Sequence, residues 1–201
     1  GPFKLESYMP RERAVLARNA AYWNKARVPQ LDKMVLMPIP DPSARVAALR
    51  SGQVDWIEAP PPDAMSTLKT AGFALVSNVY PHVWPWHFSR LEGSPWNDIR
   101  IRKAANLAID REGMKELLGG MMVPAKGMVP PTSPWFGKPS FEVKTDVAAA
   151  KALMAQAGYS KDKPLKVRSI ISFAGSGQMQ PQVMNEFIQQ NLAEIGIQVE
   201  F

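Results

Sequence analysis

Nineteen prolines divide this 201-residue chain into short segments. Proline lacks a backbone donor and blocks a helix interior, so every regular element has to fit between them or start on one. Lys33–Ile39 (KMVLMPI) is β-prone, with a proline of the edge type. Asp41-Pro42 then supplies a capping carboxylate and a first-turn proline, and Gly52 can take the left-handed stop. A helix over 42–51 is expected. Val54–Ile57 reads as a short strand. Pro60-Pro61-Pro62 breaks the chain, Asp63 can cap a helix to Thr70, and Gly72 follows its end. Phe73–Val79 reads as another strand. The alternation of strand and helix predicts an α/β layer.

Residues 81–95 (PHVWPWHFSRLEGSP) read as a short strand and a crossover. Asn97-Asp98 caps a helix whose apolar positions, Ile101, Ala104, Ala105, Ala108 and Ile109, fall at i, i+3, i+4, i+7 and i+8. Asp110 caps the next helix, to Leu118. Residues 123–139 carry five prolines and are expected to be irregular. Asp146 starts a helix that ends at Gly158. Leu165–Phe173 is a strand and Ala174–Gly177 a turn. Pro181–Ile195 is a helix with Met184, Phe187, Ile188, Leu192 and Ile195 on one face, stopped by Gly196. Ile197–Phe201 starts one more strand.

Composition narrows the chemistry. The chain is 46% hydrophobic and 21% charged, enough apolar material for a core. No apolar run approaches the roughly 20 residues of a membrane span. There is no cysteine, which excludes disulfides, zinc–thiolate sites and cysteine nucleophiles. The net charge of +6 is spread along the chain. Its Lys and Arg residues are scattered, with the densest cluster only Arg100, Arg102 and Lys103 on one helix, and that scattering argues against a nucleic-acid surface. His82 and His87 are separated by Pro85 and lack the helical i, i+4 spacing of a metalloprotease pair, so no metal site is expected. Gly175-Ser176-Gly177 imitates part of a nucleophile elbow without its flanks. Its glycines before a helix can also meet an anion through free amides. A plain turn is the simpler reading. No nucleophile–base set points to an enzyme, and no cofactor is implied.

The aromatic segment has two readings. Trp84, Trp86, His87 and Phe88 can wall a ligand, because aromatics give large contact area at low entropic cost. Equally, alternate side chains of a strand can bury in the core. In that case Trp84, Trp86 and Phe88 share one face, and His87 lies on the other.

Four stretches together resemble the family 5 extracellular solute-binding proteins. Gly1-Pro2-Phe3-Lys4-Leu5 is similar to the family's Gly-Pro-Tyr/Phe strand start, with Asn19 and Tyr22-Trp23 after it. RVAALRSGQVD (45–55) resembles the helix ending in Leu-x-x-Gly-x-x-Asp. WNDIRIRKAANLAIDR (96–111) resembles the signature Pro-Phe-x-Asp-x-Arg-Val-Arg-x-Ala-x-x-x-Ala-Ile-Asp-Arg, with Trp96 in place of Phe. AAKALMAQAGYSKDKPL (149–165) resembles the Ala-Lys-x-Leu-Leu-x-x-Ala-Gly-Tyr helix and the strand after it. Ser89 stands where the family usually has Asn.

The resemblance implies a type II periplasmic-binding-protein-like architecture of two α/β lobes, present here as an incomplete central fragment. Residues 1–90 would belong to the first lobe and 91–201 to the second. It implies a substrate-binding component of an ABC importer, periplasmic or otherwise extracytoplasmic (membrane-associated in Gram-positives). Such a component captures a peptide or other small solute and docks as a monomer on a membrane permease. By alignment of motifs, Glu58, Ala59 and Pro60 approach the cleft, as does the loop carrying Phe173, Gly175, Ser176 and Gln178. Glu58 would pair with a ligand amine, and the amides of Gly175–Gly177 would meet a carboxylate. Trp86 and His87 are further candidates. A solute-sensing domain of a transcription regulator is the alternative reading.

Overall fold

The computed structural model describes residues 1–78, 83–172 and 180–201. They form two compact units, Gly1–Ile57 and Glu58–Phe201. This boundary reflects compactness, whereas the expected division at residue 90 concerns lobes on either side of a cleft.

In the first unit, β1 (Phe3–Met9), β2 (Arg13–Arg18) and β3 (Lys33–Leu36) form an antiparallel sheet in that order. The β1–β2 hairpin turns over Pro10-Arg11-Glu12, where the Glu12 amide donates to the Met9 carbonyl at 3.1 Å. Arg11 sits at a φ of +65°. A type II turn asks for positive φ at its third position and favours proline at its second, so Pro10 suits this turn and Arg11 does not. β1 carries an irregularity between Leu5 and Ser7. Asn19 closes the open end of the hairpin: its side chain donates to the Gly1 carbonyl at 2.9 Å and its amide to Pro2. The expected strand at Lys33–Ile39 stops at Leu36, ahead of Pro38 and Pro40. α1 (Pro42–Arg50) starts as its sequence predicts, with Asp41 accepting from the Ala44 amide at 2.7 Å. Its inward residues, Ala48 and Leu49, are buried.

The second unit begins with a 3-10 turn at Pro62–Ala64 running into α2 (Met65–Thr70), so the single helix expected from Asp63 is split in type. A 3-10 turn at Pro95–Asn97 leads into α3 (Ile99–Ala108), and α4 (Arg111–Leu117) and α5 (Val147–Gln156) follow. Each of these three α-helices starts on an aspartate whose carboxylate accepts an otherwise orphan amide. Asp98 takes that of Arg100 at 2.8 Å, Asp110 that of Gly113 at 3.0 Å, and Asp146 that of Ala149 at 3.0 Å. β4 (Leu165–Arg168) and β5 (Ile197–Glu200) pair in parallel around α6 (Pro181–Glu194), a βαβ unit. Leu165, Val167, Ile197 and Val199 turn toward the helices, while Lys166, Arg168, Gln198 and Glu200 are exposed. The Gln189 side chain of α6 donates to the Val199 carbonyl at 2.7 Å, capping part of the β5 edge.

One core holds this unit together. Ile101, Ala104, Ala105 and Ala108 of α3 meet Ala150 and Met154 of α5, and Met184, Ile188 and Leu192 of α6 complete it with Ile195, Ile197 and Val199. Ala104 and Ala150 are fully buried, and side chains this small let α3 and α5 approach closely. The irregular stretch expected at 123–139 is present, with Phe136 packed on Gly127, where a Cβ would lie 2.9 Å from its ring.

Three expected strands are corrected. Val54–Ile57, the described part of Phe73–Val79, and the aromatic segment from Val83 onward are not strands. β4 also ends at Arg168 rather than Phe173, and Ile170 beyond it is fully exposed. A strand exists only where a second strand accepts its hydrogen bonds, and among the described residues these segments have none. Trp56 and Val76 accordingly stand 70% and 90% exposed. The turn expected at Ala174–Gly177 lies outside the described residues.

Candidate functional site

The residue triplet after Ile57 is unusual in its backbone. Ala59 has a φ of +47°, in the left-handed region that alanine avoids at a cost of roughly 1–2 kcal/mol. Strained positions of this kind recur at ligand clamps. Proline at the next position restricts Ala59 further, toward extended conformations it does not adopt here. Glu58 is exposed, and Ala59 and Pro60 are half-buried.

The aromatic segment is pinned in place without being a strand. Phe88 stacks on the buried Trp96, ring centroids 4.4 Å apart and planes 25° from parallel. Trp84, Trp86 and Phe88 all pack against the core, and His87 between them is exposed. The division of faces expected from period two is present even though the ladder is not. The Trp86 indole N–H donates to Asn185 Oδ1 at 2.7 Å, and its ring meets Phe201 edge-on, centroids 6.4 Å apart. Asn185 in turn donates to the Pro181 carbonyl at 2.6 Å, in the first turn of α6. Asn185 is 1% exposed and is the one buried polar residue among the described residues. Its signal in the sequence is a polar residue in register with Pro181, Ile188 and Leu192 on the inward face.

Phe173, Gly175, Ser176 and Gln178 lie outside the described residues, as does His82. Of the expected site, the structure therefore places Glu58, Ala59, Pro60, Trp86 and His87. Among the described residues no three His, Asp or Glu side chains are grouped to hold a metal ion. No described helix is long and apolar enough to cross a membrane.

The basic cluster on α3 serves the scaffold. Arg100 pairs with Asp98 and donates to the Gln156 carbonyl at 2.7 Å, tying α3 to the end of α5. Arg102 donates to the carbonyls of Trp96 and Asn97. The hydrogen bond from the Arg100 side chain, with help from its amide and charge, holds the Asp98 carboxyl below its usual value and raises the Arg100 guanidinium. Arg111 is half-buried and its pKa is lowered by desolvation; it donates to the Asn106 and Ile109 carbonyls and to Asn106 Oδ1. The charged positions of the 96–111 signature thus hold backbone at helix ends.

Comparison with known proteins gives the same frame. The chain is 28% identical over 207 residues to the glutathione-binding protein GsiB of Salmonella choleraesuis, covering 98% of this chain and 37% of that protein. It is 32% identical over 178 residues to the periplasmic oligopeptide-binding protein OppA of Escherichia coli, covering 83% of this chain and 32% of OppA. The whole chain superposes on 40% of AgaA from A. tumefaciens R10, a periplasmic binding protein in complex with agropinic acid, with a TM-score of 0.78 and 26% identity. It also superposes on 38% of the periplasmic binding protein DppA from Helicobacter pylori, in complex with the peptide STSA, with a TM-score of 0.74 and 25% identity. The fold is thus that of the periplasmic binding proteins, and the chain spans less than two-fifths of the length of these curated relatives. None of these four is a transcription regulator or an enzyme by name. The profile of the bacterial extracellular solute-binding proteins, family 5 (middle region), matches residues 1–201 from end to end, and the chain belongs to that family.

Proposed function

We propose that this chain forms part of the substrate-binding component of an ABC importer, which captures a small peptide-like solute between two lobes and delivers it to a membrane permease. The observation that carries this reading is the superposition of all 201 residues on AgaA and DppA, each of which holds a small solute. In this reading residues 1–90 belong to one lobe and 91–201 to the other. Ligand stabilises the closed state by the contacts it makes only there. Glu58 offers a carboxylate to a ligand amine, and the strained Ala59-Pro60 backbone fixes where that carboxylate points. Trp86 and His87 contribute from the aromatic segment. Phe173, Gly175, Ser176 and Gln178 contribute amides and side chains from the segment that precedes α6 in the sequence. The component works outside the cytoplasm as a monomer, without cofactor, nucleic acid or covalent chemistry.

Native mass spectrometry of the full-length polypeptide, purified gently from its own host, tests this. A small mass that is retained natively and lost on denaturation is expected. Calorimetry with glutathione and with di- to tetrapeptides should then return binding that Glu58→Ala weakens. Absence of both a retained mass and any titratable binding would overturn the proposal. Unchanged affinity in Glu58→Ala would remove Glu58 from the site.

A further inference from the structure

Among the described residues the core of the second unit is apolar except at one point, where two segments 99 residues apart in sequence share a hydrogen bond. A buried amide is costly unless both of its ends are satisfied. Asn185 meets that condition: its oxygen accepts from the Trp86 indole, and its nitrogen donates to the Pro181 carbonyl. The second bond matters because it anchors the amide nitrogen to the first turn of α6 and so sets the direction in which the oxygen faces. The first matters because the segment from Val83 to Arg90 has no ladder hydrogen bonds among the described residues. Its side chains are held by packing on the core, by the Phe88–Trp96 stack, by the Trp86–Phe201 edge contact and, with a fixed direction, by this bond. An apolar contact alone would let the indole slide or turn over. A directional bond to a side chain that has one satisfied orientation does not.

We infer that Asn185 is a positioning residue: it fixes the rotation of Trp86 and thereby the face on which His87 is presented, so that solute recognition at His87 depends on a buried amide one turn into α6. The inference rests on the solute-binding reading above and adds to it a residue that touches no solute. It also separates two roles within the aromatic segment. Trp86 is committed inward through its N–H, its packing on the core and its edge contact with Phe201, while His87 is exposed and open to a ligand.

The test uses the full-length polypeptide labelled with 15N at its indoles, with glutathione and the tetrapeptide Ser-Thr-Ser-Ala as probes. Three variants are compared: Asn185→Leu, Trp86→Phe and, as a packing control on the same helix, Ile188→Val. In the wild type the Trp86 indole proton should exchange slowly with solvent; in Asn185→Leu it should exchange at least about tenfold faster. Affinity for whichever probe binds should fall about fivefold to tenfold in both Asn185→Leu and Trp86→Phe, and the double variant should be no worse than either, as expected for one shared bond. Ile188→Val should lower stability and leave affinity unchanged. If Asn185→Leu fails to fold, Trp86→Phe keeps the comparison, since it removes the donor and preserves most of the ring. Unchanged affinity alongside faster indole exchange would overturn the positioning role and leave the solute reading intact. Rapid exchange in the wild type would overturn the hydrogen bond itself. Slow indole exchange with neither probe bound by the wild type would count against a peptide-like solute instead, and leave the bond standing.

Discussion

Gly196, the residue just before β5, should be close to irreplaceable, and the reason is measurable. Its φ is +86°, and a Cβ built there would lie 2.5 Å from both the carbonyl carbon and the oxygen of Ser160. That is about 0.9 Å short of ordinary contact. Neither side can yield easily. Ser160 and Lys163 exchange hydrogen bonds at 3.0 and 3.2 Å, and the Gly196 carbonyl accepts from Leu165 at 2.8 Å, the bond that starts the β4–β5 ladder. The conformational strain of alanine at positive φ is roughly 1–2 kcal/mol, of which about 0.4–1 is recovered from the stiffer unfolded chain. Forcing an extra methyl into packed backbone adds about 1–3 kcal/mol. Gly196→Ala should therefore cost about 2–4 kcal/mol and lower the Tm by roughly 5–15 °C for a chain of this length. Gly158→Ala is the internal control. Its φ is +87°, but nothing lies within 4 Å of the added Cβ, so only the strain remains and the net cost should stay near about 1 kcal/mol. Urea unfolding followed by circular dichroism, run on both variants, isolates the overlap as their difference. If the two fall within about 0.5 kcal/mol of each other, the close approach to Ser160 contributes nothing and the reasoning fails.

Three further outcomes are expected. Arg11→Gly removes a positive-φ side chain from the β1–β2 turn and should raise stability by about 0.5–1 kcal/mol, seen as a higher urea midpoint; a lower midpoint would mean that Arg11 makes a stabilising contact that outweighs its strain. Met154→Ala empties a fully buried position between α5 and α3 and should cost about 2–5 kcal/mol, read from the same curves. Asp98 is held below the ordinary carboxylate value by Arg100, so its contribution is complete above the ordinary value and is lost below it, as pH falls through the lowered value of the folded state. The unfolding midpoint of wild type should accordingly drop more steeply than that of Asp98→Asn between about pH 5 and pH 3, and parallel curves would show that the pair does not couple to folding.

What could be read from the sequence is what local chemistry decides. Asp41, Asp98, Asp110 and Asp146 each announce a helix start because the bond they make closes within three residues. Gly158 and Gly196 announce the stops for the same reason. The inward faces of α3 and α6 follow from helical periodicity, and the core contains the residues that periodicity selects. Strands are another matter, since a strand is a property of two segments. Val54–Ile57 and Phe73–Val79 have apolar β-prone residues, yet among the described residues no partner strand stands beside them. β1 and β2 do pair, around a turn whose Arg11 gives no glycine signal. The site divides along the same line. Glu58-Ala59-Pro60 and Trp86-His87 could be nominated as segments, but the left-handed Ala59 is invisible in its letters. Asn185 looks like any polar residue on a helix until Trp86 is found against it.

That division bears on how solute choice is encoded in this family. The residues that make the chain resemble its relatives are largely spent on scaffold: Asp98 and Arg100 close one end of α3, Arg102 holds the turn before it, Asp110 and Arg111 hold the turn after it, and Gly158 ends α5. None of these charges is free to select a ligand, because each is already bonded to backbone or to a neighbour. Under the proposed function, selectivity in the described part of the chain would fall to positions outside these bonds, such as His87, whose exposed side chain can change without disturbing a cap, a stop or the core. A scaffold fixed by local bonds and a recognition surface left outside them would let one architecture accompany relatives named for glutathione and oligopeptides and a structural neighbour in complex with agropinic acid. On this view, exchanging His87 should alter which probe binds before it alters stability, whereas exchanging Asp98 or Gly196 should do the reverse.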